Sequence, residues 1–88
     1  MDNPRYKVVR TLRCQNANIP GTLGKLATAI GGANAEIGNI ATVYLGHHYT
    51  VRDIDVLVDN EEHLTQLIKE VEGLRQEVVR LREGRPSN

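Results

Sequence analysis

The chain has 88 residues, enough for one domain with a small core whose stability a second subunit or a host chain would raise. Its 11 basic and 11 acidic side chains cancel, so no net field draws in nucleic-acid phosphates or an anionic membrane surface, and neither partner is expected. The single cysteine, Cys14, excludes an internal disulfide. The opening MDNPRYK has no apolar stretch and no run approaches the roughly 20 residues of a membrane span, so a cytoplasmic location is expected.

Residues 6–14, YKVVRTLRC, place Val8, Leu12 and Cys14 on one face and Lys7, Thr11 and Arg13 mostly on the other, the two-residue period of a strand. In the next segment Asn18 is placed to cap a helix and Pro20 suits its first turn. Leu23, Leu26, Ala27 and Ile30 then recur at helical spacing, and Gly31 and Gly32 are expected to stop the helix at about Ala29 or Ile30. A second strand is expected from roughly Glu36 to Leu45. Beyond the turn Gly46-His47-His48, YTVRDIDVLV alternates with Ile54, Val56 and Val58 against Asp53 and Asp55, a third strand hairpinned to the second. Asp59 or Asn60 caps a second helix, whose first turn is acidic, as the helix dipole favours.

Beyond Gly73 two readings stay open. Leu64, Leu67, Val71, Leu74, Val78 and Leu81 alternate spacings of three and four, which would carry the second helix onward as a coiled-coil stripe, with Gly73 opposing by only about 1 kcal/mol. Alternatively residues 74–83 hold a fourth strand, with Val79 and Leu81 facing a core and Val78, Arg80 and Arg82 facing out, which would protect the open edge of the first strand. The strand is the expectation. Residues 1–83 then form one domain and 84–88 a disordered tail. The resulting class is α+β, a ferredoxin-like βαββαβ with a four-stranded antiparallel sheet and both helices on one face.

Two segments carry a family pattern: Asn16-Ala17-Asn18-Ile19-Pro20-Gly21-Thr22-Leu23 and Gly38-Asn39-Ile40-Ala41-Thr42-Val43-Tyr44-Leu45. They resemble the two ligand-loop segments of ACT domains, and the resemblance covers about residues 8–72. The loop pattern is similar to that of the serine-binding regulatory domain of bacterial phosphoglycerate dehydrogenases. Tyr49-Thr50-Val51-Arg52-Asp53-Ile54, with Arg10-Thr11-Leu12-Arg13, looks more like the amino-terminal ACT domain of bacterial NAD-dependent malic enzymes. The resemblance implies a non-catalytic regulatory module that binds an amino acid or small organic acid at a homodimer interface. It would control a catalytic domain or enzyme and take no cofactor. The implied ligand residues are Asn16, Asn18, Ile19, Pro20, Gly21, Thr22, Leu23, Asn39 and Ile40. Asn16 stands where the serine sensor has a histidine, which keeps open a ligand-free ACT-type dimerisation module.

Elementary chemistry agrees with the implied site. A helix start leaves backbone N–H groups around Gly21, Thr22 and Leu23 for a carboxylate, and asparagine amides both donate and accept. The first two strands run parallel, however, so Asn39 and Asn18 fall at opposite ends of one sheet, and only pairing of two second-strand edges about a two-fold axis would unite them.

Other motifs read as structure. Gly21-Thr22-Leu23-Gly24-Lys25 has two residues between its glycines where a phosphate loop has four, and a KH-type RNA clamp would want basic flanks. His47 and His48 read as a solvated hairpin tip, and His63 as surface. Arg10, Arg13, Asp53 and Asp55 are expected to pair across the open sheet face. A phosphate-cleaving enzyme of the acylphosphatase type would need an arginine in the loop after the first strand, and none is there.

Overall fold

The computed structural model describes residues 7–80. Strand β1 (Val8–Ala17) leads to helix α1 (Thr22–Gly32), a hairpin of β2 (Glu36–Leu45) and β3 (Tyr49–Val58), helix α2 (Glu61–Glu72) and strand β4 (Glu77–Arg80). The four strands form one antiparallel sheet ordered β2-β3-β1-β4, which makes β2 and β4 its edges. This is the expected βαββαβ arrangement. It also settles the alternative after Gly73 in favour of a strand. The expected tail at 84–88, and residues 81–83, lie outside the described residues.

Register decides what each strand residue sees. Leu12 stands opposite Ile54, Cys14 opposite Arg52 and Val8 opposite Val58, so the even-numbered residues of β1 and β3 share the helix-covered face. There Leu12, Cys14, Ile54, Val56 and Val58 pack against Leu26 and Ile30 of α1 and Leu64, Leu67 and Val71 of α2. The helical positions recur at three- and four-residue spacing because that interval returns a side chain to the same face. Asn60 caps α2 as expected, its Oδ1 accepting from the His63 N–H at 2.8 Å.

Several local expectations are corrected. β1 continues past Cys14 to Ala17, so Asn16 is a buried strand residue. Asn18 does not cap α1. The N-cap is Gly21, in the left-handed region at φ 87°, where a Cβ would strain the backbone. Pro20 lies in the turn before that cap rather than in the helix. Gly31 and Gly32 belong to α1, and the left-handed residue that reverses the chain is Asn34, φ 64°.

The phase of β4 is inverted. Val78, opposite Cys14, packs on the core, while Val79, opposite Arg13, is 55% exposed on the open face. Arg75, left-handed at φ 68°, sets that phase by turning the chain between α2 and β4.

The charged pairs also differ in part. Arg13 donates from Nε and Nη2 to the two Asp53 oxygens at 2.8 and 3.0 Å, as expected. Asp55 accepts from the hydroxyl of the buried Thr11 at 2.7 Å. Arg10 reaches Glu61 at 2.6 Å, and Arg80 meets the other oxygen of the same carboxylate at 3.3 Å, tying the start of α2 to β1 and β4. His63 is not a surface group. Its Nδ1 accepts from the Asp59 N–H at 2.9 Å while its Nε2–H donates to the Ala33 carbonyl at 2.7 Å, clipping the end of α1 to the start of α2.

Candidate functional site

The loop between β1 and α1 is built around its backbone. The Asn18 N–H donates to the His48 carbonyl at 3.1 Å, and its side-chain Nδ2 donates to the Gly46 carbonyl at 2.7 Å, so Asn18 fastens the loop to the β2–β3 hairpin. Ile19, 62% exposed, offers a carbonyl that accepts from the Thr22 N–H at 3.2 Å and from its hydroxyl at 2.6 Å. The Thr22 amide is therefore committed, contrary to expectation. Lys25 N–H closes the first helical bond onto Gly21, which leaves Leu23 and Gly24 as first-turn amides without an intrahelical acceptor. A hollow of about 580 Å³ opens beside this turn, lined by Gly21, Gly24, Lys25, Thr28, Ala29 and Leu74.

Asn16 lies beneath the loop on the helix-covered face, its Nδ2 donating to the Ala17 carbonyl at 2.8 Å and its Oδ1 accepting from Arg52 Nη1 at 3.4 Å. Asn39 is elsewhere. The pairing of β2 with β3 skips between Ile37, opposite Val56, and Ile40, opposite Ile54, so Gly38 and Asn39 form a bulge against Asp55. Ala17 pairs with Tyr49, and Asp55 lies six steps along the strand from Tyr49, or about 20 Å at ~3.3 Å per residue. Within one chain the loop residues and Asn16 come together, while Asn39 and Ile40 stand apart. A larger hollow of about 710 Å³, between Asn34 and the first turn of α2, is lined by none of them.

Sequence reasoning passed over Arg52. Position 52 shares the inward phase of Ile54, Val56 and Val58, and an arginine in that row is the signal that was there to be read.

No family model matches the chain. Over 67 residues, 76% of its length, it is 45% identical to NAD-dependent malic enzyme 1 of Bacillus subtilis (strain 168), and it spans 15% of that enzyme. Among solved structures, the ACT domain of GTP pyrophosphokinase from Chlorobium tepidum superimposes with a TM-score of 0.73 at 17% identity, covering 86% of this chain and 100% of that domain. The fold is that of an ACT domain. Prephenate dehydratase from Streptococcus mutans contains a similar unit, TM-score 0.62 at 16% identity over 92% of this chain and 47% of that protein.

No helix is long and apolar enough to cross a membrane, and no group of three or more His, Cys, Asp or Glu is gathered for a metal, both among the described residues. The single cysteine, Cys14, is fully buried. Burial pushes its thiol from 9.0 up to about 11, with Asp53 adding to the rise and Arg52 opposing it. The folded thiol thus keeps a proton that the unfolded one releases, and the domain should lose stability as pH climbs from about 9 to about 11. A thiol reagent at pH 8 should label Cys14 only as fast as the protein opens. Immediate labelling of the native protein would contradict this.

Proposed function

We propose that this ACT domain is a regulatory module that binds a small carboxylic or amino acid between two copies of the chain and relays that binding to a catalytic body of the malic-enzyme kind, catalysing nothing itself. The observation that carries this reading is the placement of Asn39, exposed in a bulge of an edge strand about 20 Å from the loop it would have to join. Every residue of β2 except Ile37 is exposed, including Ile40 at 42%, Val43 at 47% and Leu45 at 69%. An uncovered edge of that composition invites another strand. A second bulge falls at Val43, and between the two Ile40–Thr42 pairs regularly with β3. A two-fold axis near Ala41 would set Asn39 of one chain opposite Val43 of the other, toward the hairpin end that Asn18 holds.

In this arrangement the effector carboxylate sits at the first turn of α1, where the Leu23 and Gly24 amides and the helix dipole favour negative charge. A ligand that touches both chains binds the dimer more tightly than the monomer, which is what lets it shift an equilibrium. The identity with malic enzyme 1 supports the choice of catalytic body.

Sedimentation tests the assembly. The chain should be a dimer at micromolar concentration, and the double substitution Ile40→Lys, Val43→Lys should make it a monomer. A wild-type monomer across that range would remove the site. One observation favours a second reading, an assembly module without effector: Asn18 and Asn16 both already make hydrogen bonds inside their own chain. It predicts a dimer whose melting temperature no small carboxylic or amino acid raises.

A further inference from the structure

Across the loop end of the sheet runs a row of buried polar side chains. Asn16 stands opposite Thr50, and the β1–β4 register, continued by one residue, sets Gln76 opposite Asn16. All three are at most 5% exposed. Thr50 Oγ1 and Gln76 Oε1 are buried without a hydrogen-bond partner, and unsatisfied groups of this kind call for an occupant because each is costly to bury unpaired. Arg52 lies in the same face, two residues along β3 from Thr50. Its guanidinium makes one long hydrogen bond, 3.4 Å to Asn16 Oδ1, and among the described residues no carboxylate pairs with it. The neighbouring carboxylate, Asp53, belongs to the opposite face and is held by both nitrogens of the Arg13 fork. A half-buried cation without a counter-charge carries a desolvation cost that an anion would offset.

We infer that Arg52, with Asn16, Thr50 and Gln76, takes a second acidic group of the effector, so that the site selects small dicarboxylic acids over their monocarboxylic counterparts. This rests on the effector site proposed above. One carboxylate lies at the first turn of α1 and the other accepts from Arg52 and from the Thr50 hydroxyl. Gln76 Oε1 accepts from an ammonium or hydroxyl hydrogen between them. Arginine suits the second position because its planar fork presents two parallel donors to a carboxylate.

The test compares probes that differ by one carboxylate. Calorimetry on the full chain with L-aspartate against L-alanine, and L-malate against L-lactate, should show each dicarboxylate binding at least about tenfold more tightly. Arg52→Gln should erase that preference, and Arg52→Lys, which keeps the charge, should retain part of it even if the glutamine variant folds poorly. Equal affinities within each pair, or a preference that survives in folded Arg52→Gln, would overturn the role of Arg52. Equal affinities that still depend on Asn39 would leave the interface site standing, whereas no binding by any of the four would remove both.

Discussion

Replacing Leu67 with alanine is expected to lower the unfolding free energy by about 2–5 kcal/mol, the cost of the lost transfer energy plus the cavity left behind. Leu67 is fully buried in α2, in the cluster that joins that helix to β1 and β3. A domain of this size has only about 5–15 kcal/mol to lose, so the variant should unfold at a much lower urea concentration. Leu74, 37% exposed beyond the end of α2, provides the contrast: its alanine variant should stay within about 0.5 kcal/mol of wild type. Equal midpoint shifts for the two would mean that the helix face is wrongly assigned.

The second large effect concerns binding. Asn39→Ala should weaken a carboxylate effector by about 1–3 kcal/mol, roughly tenfold to a hundredfold, because a ligand group is left desolvated and unpaired. Its stability should be unchanged, since Asn39 is exposed and its side chain makes no hydrogen bond within the described residues. Asn18→Ala should weaken binding too, but also loosen the loop, because it removes the bond to the Gly46 carbonyl. Calorimetry and thermal unfolding on both variants separate the roles. Unchanged affinity in folded Asn39→Ala would take that residue out of the site.

The order of elements was legible because the alternation of Ile54, Val56 and Val58 and the spacing of Leu64, Leu67 and Val71 are imposed by burial, and burial is what sequence periodicity records. Phase was not legible where the record is short. In β4 the adjacent pair Val78-Val79 offers an apolar residue to either face, and the left-handed turn at Arg75 that chooses between them depends on how α2 meets the sheet. The two glycines after Ile30 drew the left-handed position away from Asn34, because a local rule cannot see how far α1 stays packed on the core. The bulge that presents Asn39 is a property of a strand pair, invisible in either strand alone. In the loop, the helix-cap rule that pointed to Asn18 could not see the β2–β3 hairpin, on which Asn18 works as a clamp instead.

The central claim is that each effector site takes Asn18 from one chain and Asn39 from its partner, and subunit mixing tests it most directly. Asn18→Ala and Asn39→Ala chains, each deficient in binding alone, are mixed in equal amounts and allowed to exchange. Each heterodimer should then have one site with both asparagines and one with neither. With statistical exchange about half the dimers are mixed, so calorimetry should recover about one quarter of the wild-type sites, at wild-type affinity. With one variant isotopically labelled so that mass distinguishes the heterodimer, recovery of no sites after confirmed exchange would place the site within a single chain and contradict the shared-site account.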